Sequence, residues 1–339
     1  MNKYSISIAL VTSAVLAACG GGSGGSGSAS TPVVTPTPTP TPSACAAPAP
    51  STATSVGAIT LLAAPGKSAN SYVASGNDTA DARNFLNGVR SELGLQSMTD
   101  NVALDQAAAN HAGYLQQNNT TGHDEVPTNP GFTGADPATR TNAADPANGG
   151  ISGEVVAWAP GQTGDFLSRN LFDAPLHRTL MMADFKYQGV AVNSGHLVAD
   201  FSSLNASPVN QLVAYPYQGQ TGVRVFWQDF ESPDPLAGTT FSGQLVGYPL
   251  VLLGGLGSQL TLTAFTLNDA CGTAVPLITR DHTSTAVQIE NNVILAIPAV
   301  TGLSVNTAYT AHATGTYTAP GSTTATPLDI TWSFTTGAH

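Results

Sequence analysis

The sequence predicts an α+β layered domain over residues 76–205, followed by an all-β sandwich over residues 206–339. Three observations carry that reading. Apolar residues recur at helical spacing after Asp78 and again after Asp100. From "YQGV" to "ADFSS" the pattern changes to alternation on either side of "NSG", as in a β-hairpin. Beyond Pro208, short β-rich runs are separated by Gly, Pro, Asn and Asp turns, which suits a sandwich.

Taken in order, residues 1–18 read as a lipoprotein signal peptide. Lys3 supplies positive charge, and the apolar run Ile6 to Ala17 is too short to span a bilayer. The run ends in Leu16, Ala17, Ala18 and Cys19, which resembles the bacterial lipobox. That resemblance implies cleavage before Cys19, lipidation of its thiol and an N-acylated amine. Each buried CH₂ contributes about 0.8 kcal/mol to such an anchor. Gly20 follows where an aspartate would signal inner-membrane retention, so the expected place is the outer membrane or cell surface.

Residues 19–75 read as linker. "GGGSGGSGSAS" is flexible, and the twelve residues Thr31 to Pro42 reach on the order of 35 Å as a polyproline rod. Cys45 and Cys271 remain as two thiols of an exported protein, a pairing expected to form a disulfide.

The first helix starts at Asp78, where Ala82, Phe85, Leu86, Val89 and Leu93 keep the period and Gly94 stops it. The second runs through Val102, Leu104, Ala107, Ala108, His111 and Leu115. Residues 118–150 are rich in Asn, Asp, Pro, Thr and Gly, show no period and read as loop. A loop of that length in a compact domain is functional or mobile. "GEVVAWA" reads as a strand and Thr163 to Phe172 as a third helix ending before Pro175. The closing run places Leu328, Ile330, Trp332 and Phe334 on one face of a strand.

Only 9% of the 339 residues are Asp, Glu, Lys or Arg, and the net charge is −11. With no basic run, a nucleic-acid partner is excluded, because phosphate binding needs clustered Lys and Arg. No Gly-x-Ser-x-Gly elbow supports a serine hydrolase. His123 lies at the mouth of the long loop, Glu154 begins the strand, and His177 follows the third helix. His111 reads as a hydrogen-bonded core residue, His196 as a solvated residue past a turn, and Arg178 as a cap on the third helix.

In order and spacing, "ARNFLNGVRSELGL", "VALDQAAANHAGYL", "TGHDE", "SGEVV", "FDAPLHR" and "GVAVNSGHLVADF" resemble the bacterial branch of the CAP (SCP-like) superfamily. The resemblance implies an α-β-α sandwich whose cleft holds two histidines and two acidic residues. It assigns His123, His177 and Glu154 to that cleft, with Asp173 as the second acid and Glu125 as its alternative. Val155 stands where the family has Asn, and Leu176 where bacterial members have Gly. "LNDACGTAVP", "IPAVTGLSVNTAYTAHATGTY" and "ITWSFTT" resemble bacterial Ig-like domains of surface proteins.

Two imidazoles and a carboxylate suit Zn²⁺ at about 2.0–2.2 Å with one position open. Acid–base work on a bound water is the other chemistry open to these groups. The leading expectation is a lipid-anchored CAP-like protein whose cleft binds a divalent metal and a small or lipidic ligand. A metal-assisted hydrolase with Glu154 as base, and a structural or adhesive module with a surface protein partner, are the alternatives.

Overall fold

The computed structural model describes residues 5–11, 52–69, 72–207 and 209–338. Cys19, Cys45 and most of the expected signal peptide and linker lie outside them. Through the first unit the elements are β1 (Ser5–Val11), β2 (Thr54–Ser55), β3 (Thr60–Leu61), α1 (Asp78–Glu92), β4 (Thr99–Asp100), α2 (Val102–Gln117) and α3 (Pro137–Ala144). They continue with β5 (Ser152–Trp158), α4 (Gly164–Asp173), α5 (Pro175–Met182), β6 (Phe185–Asn193) and β7 (His196–Leu204).

Helix α1 begins at Asp78, as the sequence suggests, and is capped by Asn77, whose side chain accepts from Ala80 N at 3.0 Å. Asp78 instead reaches across to accept from Gly164 N, where α4 begins. Gly94 takes φ +73, and a Cβ there would lie 2.6 Å from Ala63 O. A side chain is excluded on both counts.

The expected loop at 118–150 contains α3. Asp136 caps it by accepting from Thr139 N at 2.7 Å, and Pro137 occupies its first turn. Eight residues are too few to establish a period, so only this Asp-Pro signal marks the helix. His177 follows the third helix, α4, as expected, but on a further helix, α5. All eight residues of α5 are buried, and so they display no apolar stripe.

The mixed sheet runs β10-β1-β5-β7-β6-β4, with β10 (Glu231–Ser232) contributed from further along the chain. Hairpin β6–β7 closes on Asn193↔His196 around Ser194 and Gly195, both at positive φ. Phe85, Leu86 and Leu171 pack on one face of the sheet with Val155 and Ala157. Ala108, Ala112 and Leu115 of α2 cover Val156 and Val198 on the other.

The remaining strands are β8 (Gln211–Tyr215), β9 (Phe226–Gln228), β10 as above, β11 (Leu245–Gly247), β12 (Leu250–Leu253), β13 (Gln259–Asp269), β14 (Leu277–Arg280), β15 (Val293–Pro298), β16 (Ala308–Thr318) and β17 (Ala325–Thr335). A five-stranded sheet, β14-β15-β12-β8-β3, faces a four-stranded one, β13-β16-β17-β2. Leu328, Ile330, Trp332 and Phe334 fill the core between them.

Two features differ from the expected division at residues 75 and 205. Residues 54–61, assigned to linker by composition, belong to the sandwich: β2 pairs with β17, β3 pairs with β8, and Ile59 is fully buried in its core. The five-stranded sheet is also buried on both faces. Leu250, Leu252, Ile294 and Ala296 point into the sandwich, while Val251, Leu253, Val293 and Leu295 join the core of the first unit beside Phe172, Met181 and Met182.

Candidate functional site

Strand β5 places Glu154 on a fully buried stretch of backbone. Its Oε1 accepts from His123 Nδ1 at 2.7 Å, and its Oε2 accepts from Arg140 Nη2 at 2.8 Å. Arg140 comes from α3, and its Nη1 donates to Gly134 O at 3.2 Å. His111, from α2, stands beside them: its Nδ1 lies 2.9 Å from Glu125 Oε1 and its Nε2 lies 3.0 Å from Gly122 O. Glu125 also accepts from Thr133 N, Thr133 Oγ1 and Gly134 N, which fold the long stretch around it.

The β5–β7 ladder sets Asp200 directly opposite Glu154. Both residues are fully buried. Burial pushes Glu154 up, but the Arg140 guanidinium and the His123 hydrogen bond outweigh it and keep the carboxylate ionised. Burial, and then the Glu154 charge, hold Asp200 well above the carboxylate range. Among the described residues no donor reaches either Asp200 oxygen, so when protonated this carboxyl is the group able to donate to Glu154. His123 is 6% exposed, and its Nε2 has no hydrogen-bond partner among the described residues.

The other sequence candidates lie elsewhere. His177 sits against Glu231 of β10, whose Oε1 accepts from the His177 backbone N at 2.7 Å and lies 2.6 Å from its Nδ1. Asp173 faces the second unit, accepting from Tyr248 Oη at 2.7 Å and from Arg224 Nη1. Thus Glu125, not Asp173, accompanies the His123–Glu154 pair, because Asp173 ends α4 on the side turned to the sandwich. Arg178 does cap α4, donating to Phe172 O at 2.7 Å and Asp173 O at 2.9 Å, and it reaches Pro249 O at 2.8 Å. His196 is not solvated: it is 5% exposed and stacks on Trp158 at 5.8 Å, and burial lowers its pKa. Cys271 is disulfide-bonded, while Cys45 lies outside the described residues.

A divalent metal does not fit these donors. Both Glu154 oxygens are taken by His123 and Arg140, and the guanidinium puts a fixed positive charge where a cation would sit. Among the described residues, no group of three or more His, Cys, Asp or Glu is arranged to hold a metal ion. Sequence reasoning passed over Arg140 and Asp200. Arg140 lies in a stretch without period, and Asp200 meets Glu154 only through strand register.

Residues 83–199 match the CAP, or cysteine-rich secretory protein, family. The match covers His111, His123, Glu125, Arg140 and Glu154, stops one residue before Asp200, and excludes the sandwich. Among solved structures, an extracellular protein containing an SCP domain from Bacillus anthracis str. Ames is similar at 17% identity, over 37% of this chain and 40% of that one, with a TM-score of 0.32. An outer surface protein from Borrelia burgdorferi is similar at 18% identity over 36% and 90%, with a TM-score of 0.31. No curated protein matches the chain. Among the described residues, no helix is long and apolar enough to cross a membrane.

Proposed function

We propose that this chain is an exported, lipid-anchored CAP-domain protein of the cell surface that presents His123 Nε2 to a small or lipidic ligand. The observation that supports the reading is the buried pair of Glu154 Oε1 and His123 Nδ1 at 2.7 Å, with Nε2 unpartnered among the described residues. An ionised carboxylate on Nδ1 selects the Nδ1–H tautomer and leaves the Nε2 lone pair to accept a hydrogen bond from a ligand hydroxyl. Lipidation of Cys19 would hold the protein at the membrane, with the Thr-Pro segment between the anchor and the two units, the second of which is proposed as Ig-like.

Hydrolysis is the second reading that the same observation favours. The base would then be His123, which takes a proton from water at Nε2 while Glu154 holds the imidazole in place. Glu154 itself is a poor base, because its oxygens are occupied and its ionised form is strongly favoured. An adhesive role, with a surface protein as partner, needs none of these groups.

Long-range ¹H–¹⁵N correlation of the histidine rings tests the proposal. The Nδ1–H tautomer at His123 is expected near neutral pH, and an Nε2–H tautomer would overturn it by removing the acceptor. Calorimetric titration with Zn²⁺ tests the metal reading. No difference is expected between the parent and a variant with both His123→Ala and His177→Ala; saturable binding lost in that variant would restore a shared metal site.

A further inference from the structure

Strand β5 forms ladders on both of its edges. On one side it pairs antiparallel with β7, from Ser152↔Ser202 to Trp158↔His196. On the other it runs parallel to β1 through seven consecutive positions, from Ser5↔Ser152 to Val11↔Trp158. β1 in turn meets β10 antiparallel, at Ala9↔Ser232 and Leu10↔Glu231. The strand between β5 and β10 therefore comes from the apolar run that the lipobox marks for removal. Cleavage before Cys19 would take β1 away and turn β5, the strand that carries Glu154, into an open edge.

We propose that the processed protein uses the place between β5 and β10 to dock an extended, uncharged apolar peptide strand of another polypeptide, added parallel to β5. The proposal rests on the lipoprotein reading above. Strands in a ladder lie about 4.7–4.9 Å apart, so β5 and β10 stand roughly 10 Å apart without β1. That spacing is too wide for direct ladder bonds and admits one strand. The edge N–H and C=O groups of β5 supply affinity, and the side chains that alternate along the guest supply selectivity.

Two observations set the class of guest. Val155 and Ala157 of β5 belong to the apolar core on one face of the sheet, and Val156 to the core on the other. A neighbouring strand continues both faces. Charge on the first would meet that apolar core, and charge on the second, which Val156 shares with the already paired Glu154 and Arg140, would be buried without a partner. β10 is also held independently of β1. Glu231 accepts from the His177 backbone N on α5, and Asp229, two residues earlier, accepts from Gly243 N at 2.8 Å. The far wall is thereby fixed at its distance, and the place does not close when β1 leaves.

The experiment uses the processed chain, residues 19–339 with Cys19→Ser to omit the lipid. The probe is a fluorescent peptide of sequence Ser5–Val11 extended by two lysines for solubility. Saturable binding is expected by anisotropy, with amide exchange slowed across 152–158. A peptide carrying Ser7→Pro and Ile8→Pro should bind on the order of tenfold more weakly, because adjacent prolines remove an N–H from each edge of the strand. Absent binding, equal binding by the proline peptide, or binding without protection of 152–158 would each overturn the proposal. The mass of the chain recovered from membranes reads the lipoprotein assignment separately, since retention of residues 1–18 would refute processing without touching the peptide result.

Discussion

Glu154 directs one oxygen to an imidazole and the other to a guanidinium, and Asp200 faces the same carboxylate across the ladder. Removing the Glu154 charge would leave Arg140 buried, with its nearest remaining carboxylate, Glu125, at 3.9 Å. Glu154→Gln is therefore expected to cost about 3–5 kcal/mol in urea denaturation; a loss below about 1 kcal/mol would show that Arg140 finds another partner. A pH dependence belongs to Asp229 in the second unit. Burial is the main cause that raises its carboxyl to about 7, and Oδ1 has no hydrogen-bond partner among the described residues. The folded pKa lies above the unfolded one, so this contribution to stability is present in acid and is lost as pH rises toward about 7. The thermal midpoint should fall across that window. Asp229→Asn, which mimics the protonated form, should flatten the fall, and an unchanged slope in the variant would assign it to another group.

At the scale of elements, close approach of backbones positions the cluster. Strand β6 crosses α2 at Gly189, where a Cβ would lie 2.1 Å from Leu104 C and 2.4 Å from Asp105 N. Gly189→Ala must push α2, and with it His111, away from the sheet. We expect a loss of about 1–3 kcal/mol and a changed His111 ring signal by NMR; a variant as stable as the parent would mean that the helix shifts at no cost. Arg178 ties α4 to the second unit through three backbone carbonyls while its guanidinium lies over Tyr215 at 4.6 Å and Tyr248 at 4.8 Å. Arg178→Met strands those carbonyls in the interior, and a cost of roughly 3 kcal/mol or more follows. Equal urea midpoints for variant and parent would contradict it.

Across the whole molecule, one apolar cluster runs from α1, through α5, to the outer face of the five-stranded sheet. Neither unit has a complete surface without the other. Calorimetry should accordingly show a single unfolding transition, whereas two separated peaks would mean that the shared cluster does not couple the units. Residues 54–61 act as a clasp, since they pair with both sheets of the sandwich and bury Ile59. Deleting residues 52–62 from the processed chain should lower that transition midpoint by several degrees, on the order of the effect of losing one buried isoleucine side chain and its ladder bonds.

Local patterns in the sequence were enough for α1, α2, α4, the β6–β7 hairpin and the closing strand, because period and capping signals lie within a few residues of one another. The resemblance to a family, not a local pattern, put His123, Glu154 and His177 in one cleft; the structure pairs the first two and sets His177 against Glu231. The tertiary structure alone decided the remainder. Helix α5 has no stripe because it is enclosed on all sides, and α3 is too short to show a period. Asp200 reaches Glu154 through strand register, which no spacing along the chain encodes. His177 turns to Glu231, 54 residues away, because α5 lies at the seam between the units and faces β10. Which buried charges meet depends on how the layers pack. A sequence records the charges and their order, and packing alone supplies the distances that make them partners.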